Sequence, residues 1–168
     1  MGNKKFVLCL FGGKTDKTRF KEKSKKWYMQ KQYLYGKVDY NSLVKARDTL
    51  QRILSTAQNE AEKMGVVQAF EICYELSWKI MKKVLRFRGA DASGAARDIF
   101  REAAKLNFLT DAETWFTYLE KRNITVHAYQ PEVLDDLFSN TAKEFLTDLD
   151  YLLKQLEKQA PQYDSTRK

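Results

Sequence analysis

Arg122, Asn123, His127 and Tyr129 fall within eight residues of one another, and no other stretch of the chain gathers comparable chemistry. His127 is the sole histidine. An imidazole changes charge near neutral pH. A guanidinium stays charged, and its fork of N–H groups matches phosphate oxygens. Together they form a minimal kit for moving protons at a phosphate. Cleavage of RNA without a metal needs a base for the 2′-hydroxyl proton, an acid for the leaving oxygen and a cation to offset charge at phosphorus. One histidine cannot be base and acid in one event, so this chemistry asks for a second copy of the chain. A two-fold dimer would bring a second Arg122 and a second His127 to a common cleft. Asn123 is placed to support the imidazole or a phosphate oxygen. The plainer reading is a surface or helix-capping histidine, with Arg122 in a charged turn beside Glu120 and Lys121 and Tyr129 an ordinary rim aromatic.

The elements that must position these residues read as helices. On one straight helix each residue turns roughly 100°. Arg122 and His127 would then point apart, while Asn123 with His127 and Arg122 with Tyr129 would share faces. A common site for Arg122 and His127 requires the helix to end or bend between them, and Pro131 favours an early end. Apolar residues recur at spacings of three and four through Leu43, Ala46, Leu50, Ile53 and Leu54, which predicts a first helix from Tyr40 to Lys63 stopped by Gly65. A second helix is expected over Val66–Arg88 with Gly89 as its C-terminal cap. A third should begin near Ser93 and end near Asn107, and a fourth should start at Thr110-Asp111. The fifth spans Glu132–Lys158. The expected fold is all-α, an antiparallel bundle of about five helices. The long apolar stripes on the second and fifth helices favour a homodimer.

Charge separates the chain into parts. Of its 30 Lys and Arg and 22 Asp and Glu, residues 1–38 hold eleven basic and two acidic side chains, a net +9, leaving −1 for the rest. The overall +8 therefore describes a basic N-terminal arm, not the helical domain of residues 39–158, and residues 159–168 form a polar tail. Within the arm, Gly12-Gly13-Lys14-Thr15 resembles the end of a phosphate-binding loop, but the loop's first glycine is replaced by Leu8, and a plain turn is expected. Cys9 and Cys73 are isolated, so no Cys/His metal site is supported. No metal and no cofactor is called for. The apolar run Phe6–Phe11 is too short for a signal sequence, Phe6 breaks the myristoylation pattern begun by Met1-Gly2, and no run approaches membrane-spanning length. A cytoplasmic location is expected.

Arg122-Asn123-x-x-x-His127-x-Tyr129 resembles the R-x4-H-x-Y motif of the HEPN superfamily. Phe70-Glu71-x-x-Tyr74-Glu75-Leu76-x-Trp78-Lys79 is similar to the second-helix signature of its nucleotidyltransferase substrate-binding branch. Arg97-Asp98-x-Phe100-Arg101-Glu102-Ala103, Trp115 and Leu119-Glu120-x-Arg122-Asn123 fit the same branch. The resemblance covers about residues 40–158. It departs at Ala92-Ser93-Gly94-Ala95, where the family commonly carries proline, and the basic arm lies outside its pattern. The resemblance implies a homodimeric helical bundle encoded beside a minimal nucleotidyltransferase. In many such pairs the HEPN protein is a toxin, a metal-independent ribonuclease, silenced when its partner adds AMP to the motif tyrosine. Carried onto this chain, Arg122 and His127 become catalytic, Asn123 supporting and Tyr129 the modification site, with RNA as substrate. The competing expectation is a non-catalytic subunit that binds a substrate or nucleotide for the nucleotidyltransferase.

Overall fold

The computed structural model describes residues 33–34, 38–90 and 92–159. Cys9, the Gly12-Gly13-Lys14-Thr15 turn, most of the basic arm and the polar tail past 159 lie outside these residues. A short antiparallel ribbon of β1 (Tyr33–Leu34) and β2 (Val38–Asp39) leads into the bundle, a feature that the helical periodicity did not suggest. Helices then follow in the order α1 (Asn41–Thr56), α2 (Glu60–Phe87), α3 (Ala96–Lys105) and α4 (Ala112–Ile124). A single 3₁₀ turn, Thr125–His127, links α4 to α5 (Pro131–Asp136). A π-helical turn, Leu137–Thr141, joins α5 to α6 (Ala142–Gln159), so the last rod is one interrupted helix. The all-α class with five helical rods among the described residues agrees with the periodicity.

The first boundary differs from the sequence-based expectation. The chain breaks at Ala57–Asn59, and α2 runs straight through Gly65. Local capping explains the difference. The Asn59 side chain accepts from the Glu62 amide at 3.0 Å, and the Gln58 amide donates to Glu62 Oε2 at 2.6 Å. Two otherwise unpaired donors at the helix start are thereby satisfied. Gly65 lies on an exposed face with open space around it, and glycine there costs about 1 kcal/mol, too little to stop a helix fixed at both ends. Ser93 likewise does not cap α3; Ala95 holds that position without a side-chain bond.

Other boundaries agree with the sequence. Gly89 has φ +72°, and the Ala90 and Gly89 amides close back onto Leu85 and Arg86, the paired bonds of a Schellman cap. Asn107, at φ 58°, ends α3 in the same way, with Phe108 and Asn107 bonding back to Ala103 and Ala104. Asp111 caps α4 through the Thr114 amide at 2.8 Å.

Helix α2 is central and touches every other helix. Its stripe of Phe70, Cys73, Tyr74, Met81 and Leu85 is buried. Phe70, Phe100, Trp115, Tyr118 and Phe145 interlock through edge-on and tilted ring contacts, each worth about 0.5–1.5 kcal/mol beyond area burial. Tyr118 donates to Asp148 at 2.5 Å, joining α4 to α6. Burial raises the Tyr118 phenol, and the bond to Asp148 adds to the rise. The apolar stripes expected to need a second subunit are therefore covered within one chain. The bundle interior absorbs Leu134, Leu137, Phe145, Leu149, Leu152 and Leu156 as well as the α2 stripe. A different set of apolar side chains stays in solvent: Met64, Ile72, Phe87, Ile124, Val126 and Tyr129.

If the Asn59 cap rather than Gly65 sets the boundary, Gly65→Ala should raise stability by about 0.5–1 kcal/mol and Asn59→Ala should lower it by about 1 kcal/mol in denaturant titrations. A destabilised Gly65→Ala protein would show instead that the chain breaks at the glycine.

Candidate active site

The segment after α4 is shaped by two residues that point inward. Thr125 and Ala128, three apart on a tight turn, are both buried, at 8% and 2% exposure. The single proton of the Thr125 hydroxyl is shared between two acceptors, the Arg122 carbonyl at 2.7 Å and Glu71 Oε1 on α2. Ala128 sits in a small apolar cluster with Val67, Leu134 and Leu137. These anchors hold the turn against α2 and send its remaining side chains outward. Val126 is 71% exposed and Tyr129 68%, and Asn123 and His127 are exposed as well. The imidazole meets the Tyr129 ring edge-on, with centroids 6.2 Å apart, and the Tyr129 hydroxyl accepts from Gln130 Nε2 at 3.3 Å.

Regular helix therefore ends at Ile124, between Arg122 and His127, which is the condition that a shared site requires. The same break means that the two face-sharing pairs do not follow from α-helical spacing alone. Pairing Arg122 with Tyr129, and Asn123 with His127, assumes one straight α-helix, and here the backbone tightens after Ile124.

Arg122 belongs to a different setting from the exposed turn. Its Nη2 lies 3.2 Å from Glu75 Oε1 on α2. Glu75 Oε2 also accepts from Trp78 Nε1 at 3.2 Å, with Lys79 at 3.6 Å. The guanidinium is thus fixed by a carboxylate that is itself held from two other sides. Sequence reasoning assigned Glu75 no role. Its only trace was membership of the second-helix signature, because its partner lies 47 positions away and meets it only through packing of α2 on α4. Nearby, Lys121 pairs with Asp136 at 2.7 Å and Lys63 with Asp135 at 2.6 Å, tying α5 to α4 and α2. The Lys121 bond, with one from Asn140, holds the Asp136 carboxyl below its ordinary range. A cleft of about 200 Å³ opens beside Arg122, lined by Tyr74, Glu75, Trp78, Ala96 and Leu119. Among the described residues no group of His, Cys, Asp and Glu side chains is gathered to hold a metal ion, and no helix is long and apolar enough to cross a membrane.

Comparison with known proteins places this arrangement. Residues 38–158 match the family described as nucleotidyltransferase substrate binding protein like. The chain belongs to that family, the branch of the HEPN superfamily whose motifs it carries. It is 38% identical over 104 residues to the probable ribonuclease HepT of Haemophilus influenzae, covering 60% of this chain and 70% of that protein. A solved structure from Haemophilus influenzae, reported as the fold of a substrate binding domain of a nucleotidyltransferase, superposes with a TM-score of 0.64 at 28% identity. That match spans 71% of this chain and 99% of the other. A Thermus thermophilus protein shares the fold, with a TM-score of 0.62 at 22% identity over 68% of this chain and 98% of its own.

Thr125→Val keeps the shape of the anchor and deletes its bond to Glu71, a bond to a charged group worth about 1.5–3 kcal/mol. Amide exchange across residues 125–130 is expected to quicken while α2 and α6 keep their protection. Unchanged exchange in the turn would show that Ala128 alone holds it.

Proposed function

We propose that the protein is the toxin of a HEPN and minimal-nucleotidyltransferase pair, a metal-independent endoribonuclease of the cytoplasm. One observation carries the reading: a lone imidazole is held in solvent on an anchored turn, directly after a helix end whose arginine is fixed by a carboxylate. The ribonuclease name of the 38% identical relative supports it.

In the proposed reaction one His127 takes the 2′-hydroxyl proton. The 2′-oxygen attacks phosphorus, the bond to the 5′-oxygen breaks, and the His127 of a second copy returns a proton to that oxygen. Arg122 offsets the charge that gathers on the non-bridging oxygens, and Asn123 supports the imidazole or the phosphate. Exposed Ile124, Val126 and Tyr129 flank His127, and Ile72 adds a further exposed side chain next to the Glu71 anchor. Apolar groups gathered this way suit an isologous contact between two copies, so the homodimer is inferred from them instead of from the stripes now known to be internal. Tyr129, exposed and in ring contact with His127, is the proposed acceptor of AMP from the nucleotidyltransferase. A nucleotide there would place bulk and negative charge beside the imidazole and exclude the RNA phosphate.

A second reading has its own support. The family description and the Haemophilus structure both speak of substrate binding for a nucleotidyltransferase, which suits a non-catalytic subunit. Purified His127→Ala protein of unchanged melting temperature and mass in solution separates the two. RNA cleavage in the presence of a chelator is expected to fall by about 10²-fold or more, and cleavage that survives the change would overturn the assignment. Co-expression with the nucleotidyltransferase should add AMP to the peptide holding Tyr129, and not to that peptide in Tyr129→Phe.

A further inference from the structure

Two residues that line the cleft beside Arg122 each carry a buried polar atom that the fold leaves unpaired. Tyr74 is 2% exposed, and among the described residues neither its hydroxyl nor Arg122 Nε has a hydrogen-bond partner. Such groups cost about 1–3 kcal/mol each when left unsatisfied, and buried polar atoms nearly always find a partner. Both residues line one cleft, and the Tyr74 phenol is raised by burial first, with Glu75 adding to the rise and Arg122 opposing it. The two orphaned atoms thus belong to residues that border a common space.

The lining defines what fits there. Arg122 Nε offers a donor. The Tyr74 hydroxyl donates or accepts. Glu75 already receives Arg122 and Trp78, yet a carboxylate has about four acceptor positions. Trp78 supplies ring surface, with Lys82 over its ring at 5.1 Å from the centroid, and Ala96 and Leu119 complete an apolar wall. A bare phosphate offers only acceptors and would be repelled by Glu75. An aliphatic group would leave the polar atoms unpaired. At about 200 Å³ the cleft is below the range of roughly 300–1,000 Å³ of drug-sized ligand sites, and it suits one ring system.

We propose that this cleft is a nucleobase subsite that holds one base of the RNA strand beside Arg122, with guanine the best match. Guanine sets two adjacent N–H donors against Glu75 and its O6 acceptor toward Arg122 and Tyr74, as arginine and carboxylates do when reading base edges. The strand as the source of the base rests on the ribonuclease reading; the pocket itself does not. Arg122 would then serve twice, gripping the base through Nε and facing the neighbouring phosphate with its outer nitrogens.

The test uses full-length His127→Ala protein, so that binding is measured without cleavage. The four nucleoside 5′-monophosphates, ribose 5-phosphate, and short oligoribonucleotides with and without guanine are titrated by calorimetry, with and without Tyr74→Phe. GMP should bind best, ribose 5-phosphate should not compete, and a guanine-containing oligomer should bind more tightly than GMP. Tyr74→Phe should weaken GMP about fivefold, the loss of one ordinary hydrogen bond, while the melting temperature holds or rises because an orphaned hydroxyl is gone. Equal binding of all four nucleotides and of ribose 5-phosphate would make this a phosphate site and overturn the proposal. Indifference to Tyr74→Phe, or no binding, would overturn it too. Base-selective binding of GMP with no gain for the oligomer would reject RNA as the source and favour a free nucleotide. Selective RNA binding by a protein whose His127 form does not cleave would sink the nuclease reading and leave the subsite standing.

Discussion

The bond from Thr125 to Glu71, together with the burial of Ala128, is the constraint on which the site depends. A 3₁₀ turn places residues three apart on one side, so burying positions 125 and 128 fixes what positions 126, 127 and 129 can do. They must face solvent. Thr125 has a second task, because its hydroxyl proton is shared with the carbonyl of Arg122 at the end of α4. The helix end, the turn and the central helix α2 are thus joined through one side chain, and the positions of arginine and histidine are set together.

Electrostatics divides the two chemical groups by environment. Arg122 is held against Glu75, half in and half out of the bundle, with side-chain exposures of 41% and 34%. Such a pair adds little stability at this exposure, and its value lies in orientation. It fixes the guanidinium at the edge of the cleft. His127, by contrast, stands in water beside Tyr129. A fixed cation and a solvent-facing imidazole suit a surface that receives a flexible charged strand, and the apolar residues flanking the histidine suit a partner that completes it.

Much of the bundle was legible from residue spacing. The stripes on α2 and α6, the Gly89 and Asp111 caps and the helix stop ahead of Pro131 all follow from local chemistry, and local chemistry decides them in the structure. The break at Asn59 was missed because Gly65 is the more obvious punctuation, although Asn59 and Glu62 carry the capping signature in plain view. The π-helical turn at Leu137–Thr141 left no periodic trace, since apolar residues flank it on both sides. For the candidate site, residue types singled out Arg122, Asn123, His127 and Tyr129 as candidates, but not how they are placed. The straight helix assumed for pairing them ends at Ile124. Glu71 and Glu75 on α2 meet Thr125 in the turn and Arg122 on α4, and contacts so distant in sequence cannot be read from spacing. The stripes expected to form a dimer face are core, because the chain has enough helices to cover them itself.

The central claim is that two copies supply one imidazole each to a common cleavage site. Wild-type and His127→Ala chains, mixed in varied proportion and allowed to exchange subunits, test it directly through the rate of RNA cleavage. A shared cleft predicts that the rate falls as the square of the wild-type fraction, since dimers with one altered copy are inactive. A rate that falls in simple proportion to that fraction would mean that each chain works alone, and would contradict the account.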